Sequence, residues 1–270
     1  MSDNPPFAAP FLFAQNLGFA AGHATNGNQF FLSEAEANQR LQENAKKINK
    51  LQDRLFAEGS RSLLIILQGM DSSGKDGTIR SVFGETGPLG VEVSAFRAPS
   101  EEERGHDYLW RVHQKTPARG KIGIFNRSHY EDVLVVKVKS FASPEAIELR
   151  YQQINDFERM LTENGTHILK FMLNLSFEEQ AKRLQARIDD KDKRWKFNPS
   201  DLDDRALWPQ FMAAYDIMLA RTSTDHAPWH VIPSDQKWAR NSIISQIVRD
   251  HLERMNPNYP EIKKPAIMIT

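Results

Sequence analysis

Gly69-Met70-Asp71-Ser72-Ser73-Gly74-Lys75 have the types and spacing needed to hold a polyanion. The two glycines let the backbone fold so that successive N–H groups point at phosphate oxygens, and a helix that follows adds its positive end. Lys75 is then placed to reach the terminal phosphates, with its side chain expected to face solvent and ligand. The pattern is G-x-x-x-x-G-K without its usual last member. Asp76 stands where a Ser or Thr hydroxyl would hold Mg²⁺, and Thr78 comes two places later. Asp71, inside the loop, would repel a bound polyanion unless it holds a bridging metal or orients an attacking phosphate.

A second chemical cluster is Asn126-Arg127-Ser128-His129-Tyr130-Glu131-Asp132, at the end of the apolar run Ile122-Gly123-Ile124-Phe125. In a P-loop sheet a neighbouring strand end supplies an acidic residue to the metal, and either Glu131 or Asp132 could serve. Arg127 is near enough to contact phosphate. His129 and Tyr130 read as hydrogen-bonded core residues, Trp110 as core at helical spacing, and Arg111 as a surface ion-pair partner.

Residues 182–196 carry Lys182, Arg183, Arg187, Lys191, Lys193, Arg194 and Lys196 against Asp189, Asp190 and Asp192, a local excess of +4. Arg183, Arg187 and Lys191 are spaced by four and share one helix face. Such a helix, following a phosphate loop, fits a lid that closes arginines over a transferring phosphoryl and expels water. The competing reading is a solvated face with Glu179–Arg183 and Asp190–Arg194 pairs.

These clusters need elements to position them. Five short apolar runs, at 63–67, 91–96, 122–125, 168–173 and 229–232, alternate with helical patterns at 76–84, 101–114, 144–163, 177–190, 205–221 and 236–254. Alternation of this kind predicts βαβ units in a mostly parallel sheet covered on both faces. Ser33 and Glu36 have capping-box spacing ahead of a helix over 34–57 that stops at Gly59. Residues 1–32 read as an arm that Phe7, Phe11, Phe13 and Phe19 could dock. Residues 33–256 read as one domain with its lid at about 182–205, and 257–270 as a loose tail. At roughly 150 residues per domain, the 270 residues allow one large unit.

Composition narrows the function. With 35 basic and 35 acidic residues the net charge is zero, which argues against bulk attraction to nucleic acid or membrane. The absence of cysteine excludes thiol catalysis, disulfides and thiolate metal sites. No apolar run approaches the roughly 18 residues of a membrane span, and no secretory signal opens the sequence. A cytoplasmic protein is the expectation.

Three motifs together resemble family-2 polyphosphate kinases: Gly69 to Thr78, Phe125 to Val133, and Lys193-Arg194-Trp195-Lys196-Phe197. Thr222-Ser223-Thr224, Ala227 to Pro233, and Trp238, Arg240 and Asn241 extend the resemblance over about 34–255. It implies an α/β P-loop three-layer αβα sandwich, thymidylate-kinase-like, with a five-stranded sheet and a helical basic lid. The implied reaction is reversible, Mg²⁺-dependent transfer of the terminal phosphoryl of inorganic polyphosphate to nucleoside mono- and diphosphates. Asp71, Lys75, Arg127 and Asp132 are the catalytic candidates, with Asp71 and Asp132 as metal ligands. Gly69, Ser72, Ser73, Gly74, Lys75, Asp76, Arg183 and Arg187 are candidates for binding polyphosphate. Asn126 and Glu131, where many diphosphate-specific members have Asp and Asn, resemble the type that phosphorylates both AMP and ADP. Adenine nucleotides, with guanine nucleotides as further acceptors, and a second copy of the chain in a dimer or tetramer are the implied partners. An ATP-dependent nucleotide or nucleoside monophosphate kinase on the same fold is the alternative, and a non-catalytic phosphate-binding regulator is a third reading.

Overall fold

Ser33 opens the first long helix by accepting the Glu36 N–H on its hydroxyl at 3.1 Å, and Gly59 closes it at φ +64°. This is α1, Glu34–Glu58. The computed structural model describes residues 7–14, 18–19, 23–31 and 33–261. The last part of the expected tail, 262–270, lies outside them.

The five apolar runs form five strands: β1 Ser62–Gln68, β2 Val91–Ala95, β3 Ile122–Asn126, β4 Thr166–Asn174 and β5 Trp229–Pro233. They hydrogen-bond in the order β2-β3-β1-β4-β5, and every pairing is parallel. β1 is central and buried throughout, which is why its sequence is continuously apolar rather than alternating. Leu63, Ile65 and Leu67 face one core layer, while Leu64 and Ile66 face the other. The chain leaves β1 for β2 on one side and later returns to β4 on the other. The crevice beyond the carboxyl end of β1 is therefore the switch point where such sheets bind ligands.

The larger helices after α1 are α2 Lys75–Phe83, α3 Pro144–Glu163, α4 Phe177–Asp189, α5 Trp208–Thr222 and α6 Lys237–Met255. Helices α1, α2 and α6 cover one face of the sheet, and α3 and α5 the other. Two expected helices are broken. The 101–114 pattern becomes Glu101–Arg104 and Trp110–His113, because the Asp107 carboxylate accepts the Leu109 and Trp110 N–H groups and starts a new turn. The 205–221 pattern becomes Ser200–Ala206 and α5, because Pro209 has no N–H with which to continue the first helix.

Trp110 is a further correction. It is half-exposed and stacked on His106 with ring centroids 4.0 Å apart, rather than in the core. Arg111 forms an ion pair as expected but not at the surface: it is buried against Glu103 and the Arg97 carbonyl. The arm docks as its phenylalanines suggest: Phe11, Phe13 and Phe19 are buried, and the Phe13 N–H donates to the Trp229 carbonyl at 2.9 Å.

Candidate active site

The strand-to-helix loop after β1 takes conformations that its glycines permit. Gly69 has φ +148° and Gly74 φ +105°, and Ser72 also adopts a left-handed φ of +66°. A Cβ at Gly74 would lie 1.9 Å from Nη1 of Arg240, so only glycine fits there. Lys75 begins α2, but its side chain does not point outward as the sequence suggests. It is buried, and its Nζ donates to the Gly69 carbonyl at 2.7 Å and the Met70 carbonyl at 3.2 Å. The carbonyls that the tight loop frees satisfy the ammonium from within. Burial, and then the nearby Arg127 charge, push the Lys75 pKa down to about 8, against the pull of Asp71.

Arg127 follows β3 at φ +61° and pairs directly with Asp71, with Glu131 3.9 Å away on its other nitrogen. The Ser128 hydroxyl accepts the Tyr130 N–H and starts the turn His129–Asp132 that presents Glu131. Burial alone would raise the Asp71 carboxyl, yet Arg127, Lys75 and Arg187 together hold it below the usual carboxylate range. Glu131 responds the other way, because burial raises it further than Arg127 and Lys75 lower it. Asp71, Lys75, Arg127, Glu131 and Arg187 thus form one interacting charge cluster at the loop. Asn126 joins its rim by donating to Asp76 at 2.6 Å.

The structure does not bring Asp132 into this cluster. Its carboxylate lies 3.3 Å from Nη1 of Arg150, and that nitrogen also donates to the Asp132 carbonyl. Burial raises its pKa to about 6 despite Arg150. Of the two, Glu131 is the acidic residue that interacts with Arg127, Lys75 and Asp71 of the loop cluster, and Asp132 the one held by Arg150.

Arg183 also departs from expectation. All five of its N–H donors are directed at protein oxygens: Glu179, the carbonyls of Ser72 and Ser73, and those of Ser234 and Asp235. It braces the loop from behind instead of projecting over its mouth. The Arg187 charge does act on Asp71, while its Nη1 is held 3.2 Å from Asp201. Of the expected surface pairs, Glu179–Arg183 forms, whereas Asp190 pairs with Lys193.

Sequence reasoning missed several supports. Gln180 donates to the Asp71 carbonyl at 3.0 Å, and Tyr215 is buried beside Glu131, Arg127 and Asp71. Beneath the β3 turn lies a fully buried network in which Lys170 Nζ donates to Glu158 at 2.6 Å, the Tyr130 hydroxyl at 2.7 Å and the Thr222 carbonyl at 2.7 Å. Tyr130 in turn donates to Glu158, and His129 sits 3.3 Å from the same carboxylate, so the core reading of both was right. A lysine inside the apolar run of β4 was the available signal.

Among the described residues, no three acidic or histidine side chains converge on a point. Mg²⁺ uses one or two protein carboxylates and takes its other ligands from phosphate and water. Asp71 is such a carboxylate, and the neighbouring Ser72 hydroxyl is buried without a partner. The donors are hard oxygens, and they fit the ion.

A phosphate-cradling loop at the switch point of a parallel αβα sheet, with an acid and an arginine facing it, defines a P-loop phosphotransferase. Residues 31–260 match the family model of polyphosphate kinase 2. The chain belongs to the polyphosphate kinase 2 family. It is 50% identical over 216 residues to an AMP/ADP-polyphosphate phosphotransferase of Meiothermus ruber, covering 80% of this chain and 81% of that one. It is 39% identical over 249 residues to an ADP-polyphosphate phosphotransferase of Rhodopseudomonas palustris, covering 88% and 86%. Its fold superposes on a crystal structure of polyphosphate kinase 2 from Arthrobacter aurescens TC1 with a TM-score of 0.92 at 39% identity, over 98% of this chain and 94% of that one.

Proposed function

We propose that this enzyme transfers the terminal phosphoryl group of inorganic polyphosphate to both AMP and ADP, with Mg²⁺, and that the reaction is reversible. The observation that carries the reading is Asp71: a carboxylate inside a phosphate loop, paired with Arg127, in a loop lacking the hydroxyl that ATP-dependent relatives of this fold use after the lysine. Asn126 and Glu131, both at the loop, support the dual acceptor range, as does the name of the Meiothermus ruber relative.

In the proposed step, a phosphate oxygen of the acceptor attacks the terminal phosphorus of the chain. The bridging P–O bond breaks, and the shortened chain leaves with the electron pair. The acceptor oxygen is already ionised at neutral pH, so no strong base is required, and catalysis is alignment and charge neutralisation. The loop N–H groups and Lys75 hold the donor, Arg127 neutralises the transferring group, and Arg187 approaches from the segment 182–205 acting as a lid. Asp71, with the Ser72 hydroxyl near it, would hold Mg²⁺, which when bound neutralises phosphate charge. Glu131, rather than Asp132, is the second acidic residue in this reading.

No helix among the described residues is long and apolar enough to cross a membrane; the cytoplasm is the proposed location. Exposed Leu89, Val93, Phe141 and Leu149 support self-association as a dimer or tetramer. The decisive experiment is a donor–acceptor matrix: polyphosphate or ATP against AMP, ADP, GMP and GDP, each with and without Mg²⁺. ADP and ATP formed from polyphosphate as sole donor are expected. Phosphorylation of AMP by ATP alone would establish the ATP-dependent alternative.

A further inference from the structure

Behind the phosphate loop lies a buried cation that no anion among the described residues matches. Arg240, near the start of α6, is only 2% exposed. Its Nη1 donates to the Ser73 carbonyl at 2.9 Å, while Nε and Nη2 both donate to the neutral Asn241 side chain. Among the described residues, no carboxylate touches it. The charge that acts on it is that of Arg183, which donates to the same Ser73 carbonyl at 3.2 Å and has Glu179 as its own partner. Burial, and then the Arg183 charge, push the Arg240 pKa down to about 9, so it stays protonated at neutral pH. A buried charge without a counter-charge normally destabilises a fold, so its presence calls for a compensating use.

Peptide geometry supplies the use. The Ser73–Gly74 peptide is planar and trans, so its C=O and N–H point in opposite directions. Two guanidinium groups hold the carbonyl toward the protein interior, which turns the Gly74 N–H toward the mouth of the loop. Hydrogen bonds from cations polarise the peptide and strengthen that N–H as a donor. Gly74 lacks the Cβ that would otherwise strike Arg240, so the glycine and the arginine are fitted to each other.

We propose that Arg240 is a positioning residue of the polyphosphate site: held on the Ser73 carbonyl with no carboxylate partner, it aims and charges the Gly74 N–H that receives a donor phosphate, its own charge being balanced when the polyanion binds. The proposal rests on the loop being the polyphosphate site.

The test is calorimetric binding of inorganic tripolyphosphate to wild-type protein, Arg240→Gln and Arg240→Lys, with the thermal midpoint of each measured without ligand. A charge-assisted contact predicts that Arg240→Gln weakens tripolyphosphate by about tenfold or more. Arg240→Lys, which keeps the charge, should retain more of the affinity, and the ligand-free midpoint of Arg240→Gln should not fall. The proposal is overturned if Arg240→Gln binds as tightly as wild type, if Lys and Gln lose equally, or if Arg240→Gln unfolds without ligand, since the arginine would then serve the fold alone. Wild-type protein that ignores tripolyphosphate would overturn the loop assignment itself, and this proposal with it. Wild-type binding beside an indifferent Arg240→Gln would sink the proposal alone.

Discussion

Lys75 shows how one side chain can be held ready by the loop it serves. Folded onto the Gly69 and Met70 carbonyls, its ammonium is desolvated before any phosphate arrives. Its pKa of about 8 gives the first prediction a sign. The protonated form attracts phosphate, so tripolyphosphate affinity should fall as the pH rises past about 8. Lys75→Arg should remove the part of that fall that begins near pH 8, leaving the later part that Arg240, with its pKa of about 9, contributes; a wild-type affinity that stays flat from pH 7 to 9.5 would contradict the role. Truncation is harsher. Lys75→Ala should lower kcat by about 100-fold or more, by analogy with losing a charge-stabilising donor. Arg187 belongs to the same scale. Its charge acts on Asp71, so Arg187→Ala should raise KM for polyphosphate more than KM for AMP, and equal changes would return it to its pairing with Asp201.

At the scale of elements, the turn after β3 depends on α3 and β4. Glu158 and Lys170 form a fully buried ion pair that also holds Tyr130 of the turn. Removing one partner strands a charge in the core. Glu158→Gln or Lys170→Met alone should therefore destabilise the protein by about 3–5 kcal/mol in urea denaturation. Replacing both by apolar residues of similar volume should recover most of that loss, because no charge is left unpaired. If the double variant is as unstable as the sum of the singles, packing rather than charge governs the site.

Over the whole molecule, buried histidines set the response to acid. Burial lowers His230 to about 4 and His251 to about 3, whereas the unfolded chain protonates them near 6.5. Below 6.5 the unfolded state takes up protons that the folded state refuses. Through the histidines, stability should therefore fall as the pH is lowered from about 6.5 through 4, against the opposite contribution of Asp132, which burial raises to about 6. His230→Asn should flatten the part of that profile that His230 causes, as followed by thermal midpoints across pH.

Much of this architecture was legible in the sequence because it depends on local pattern. Each of the five apolar runs became a strand, and Ser33 capped its helix. The glycine spacing of 69 and 74 marked the loop, since left-handed backbone and a close neighbour demand glycine whatever surrounds it. The sequence by itself therefore determined the order of elements, the phosphate loop and the family. Tertiary structure alone decided which way side chains turn and what lies behind them. It sent Glu131 rather than Asp132 toward the loop, folded Lys75 inward, and placed Arg240, 167 residues from Ser73, against the loop's back. Those outcomes depend on long-range contacts and on how burial shifts charge, and neither leaves a periodic trace in the chain.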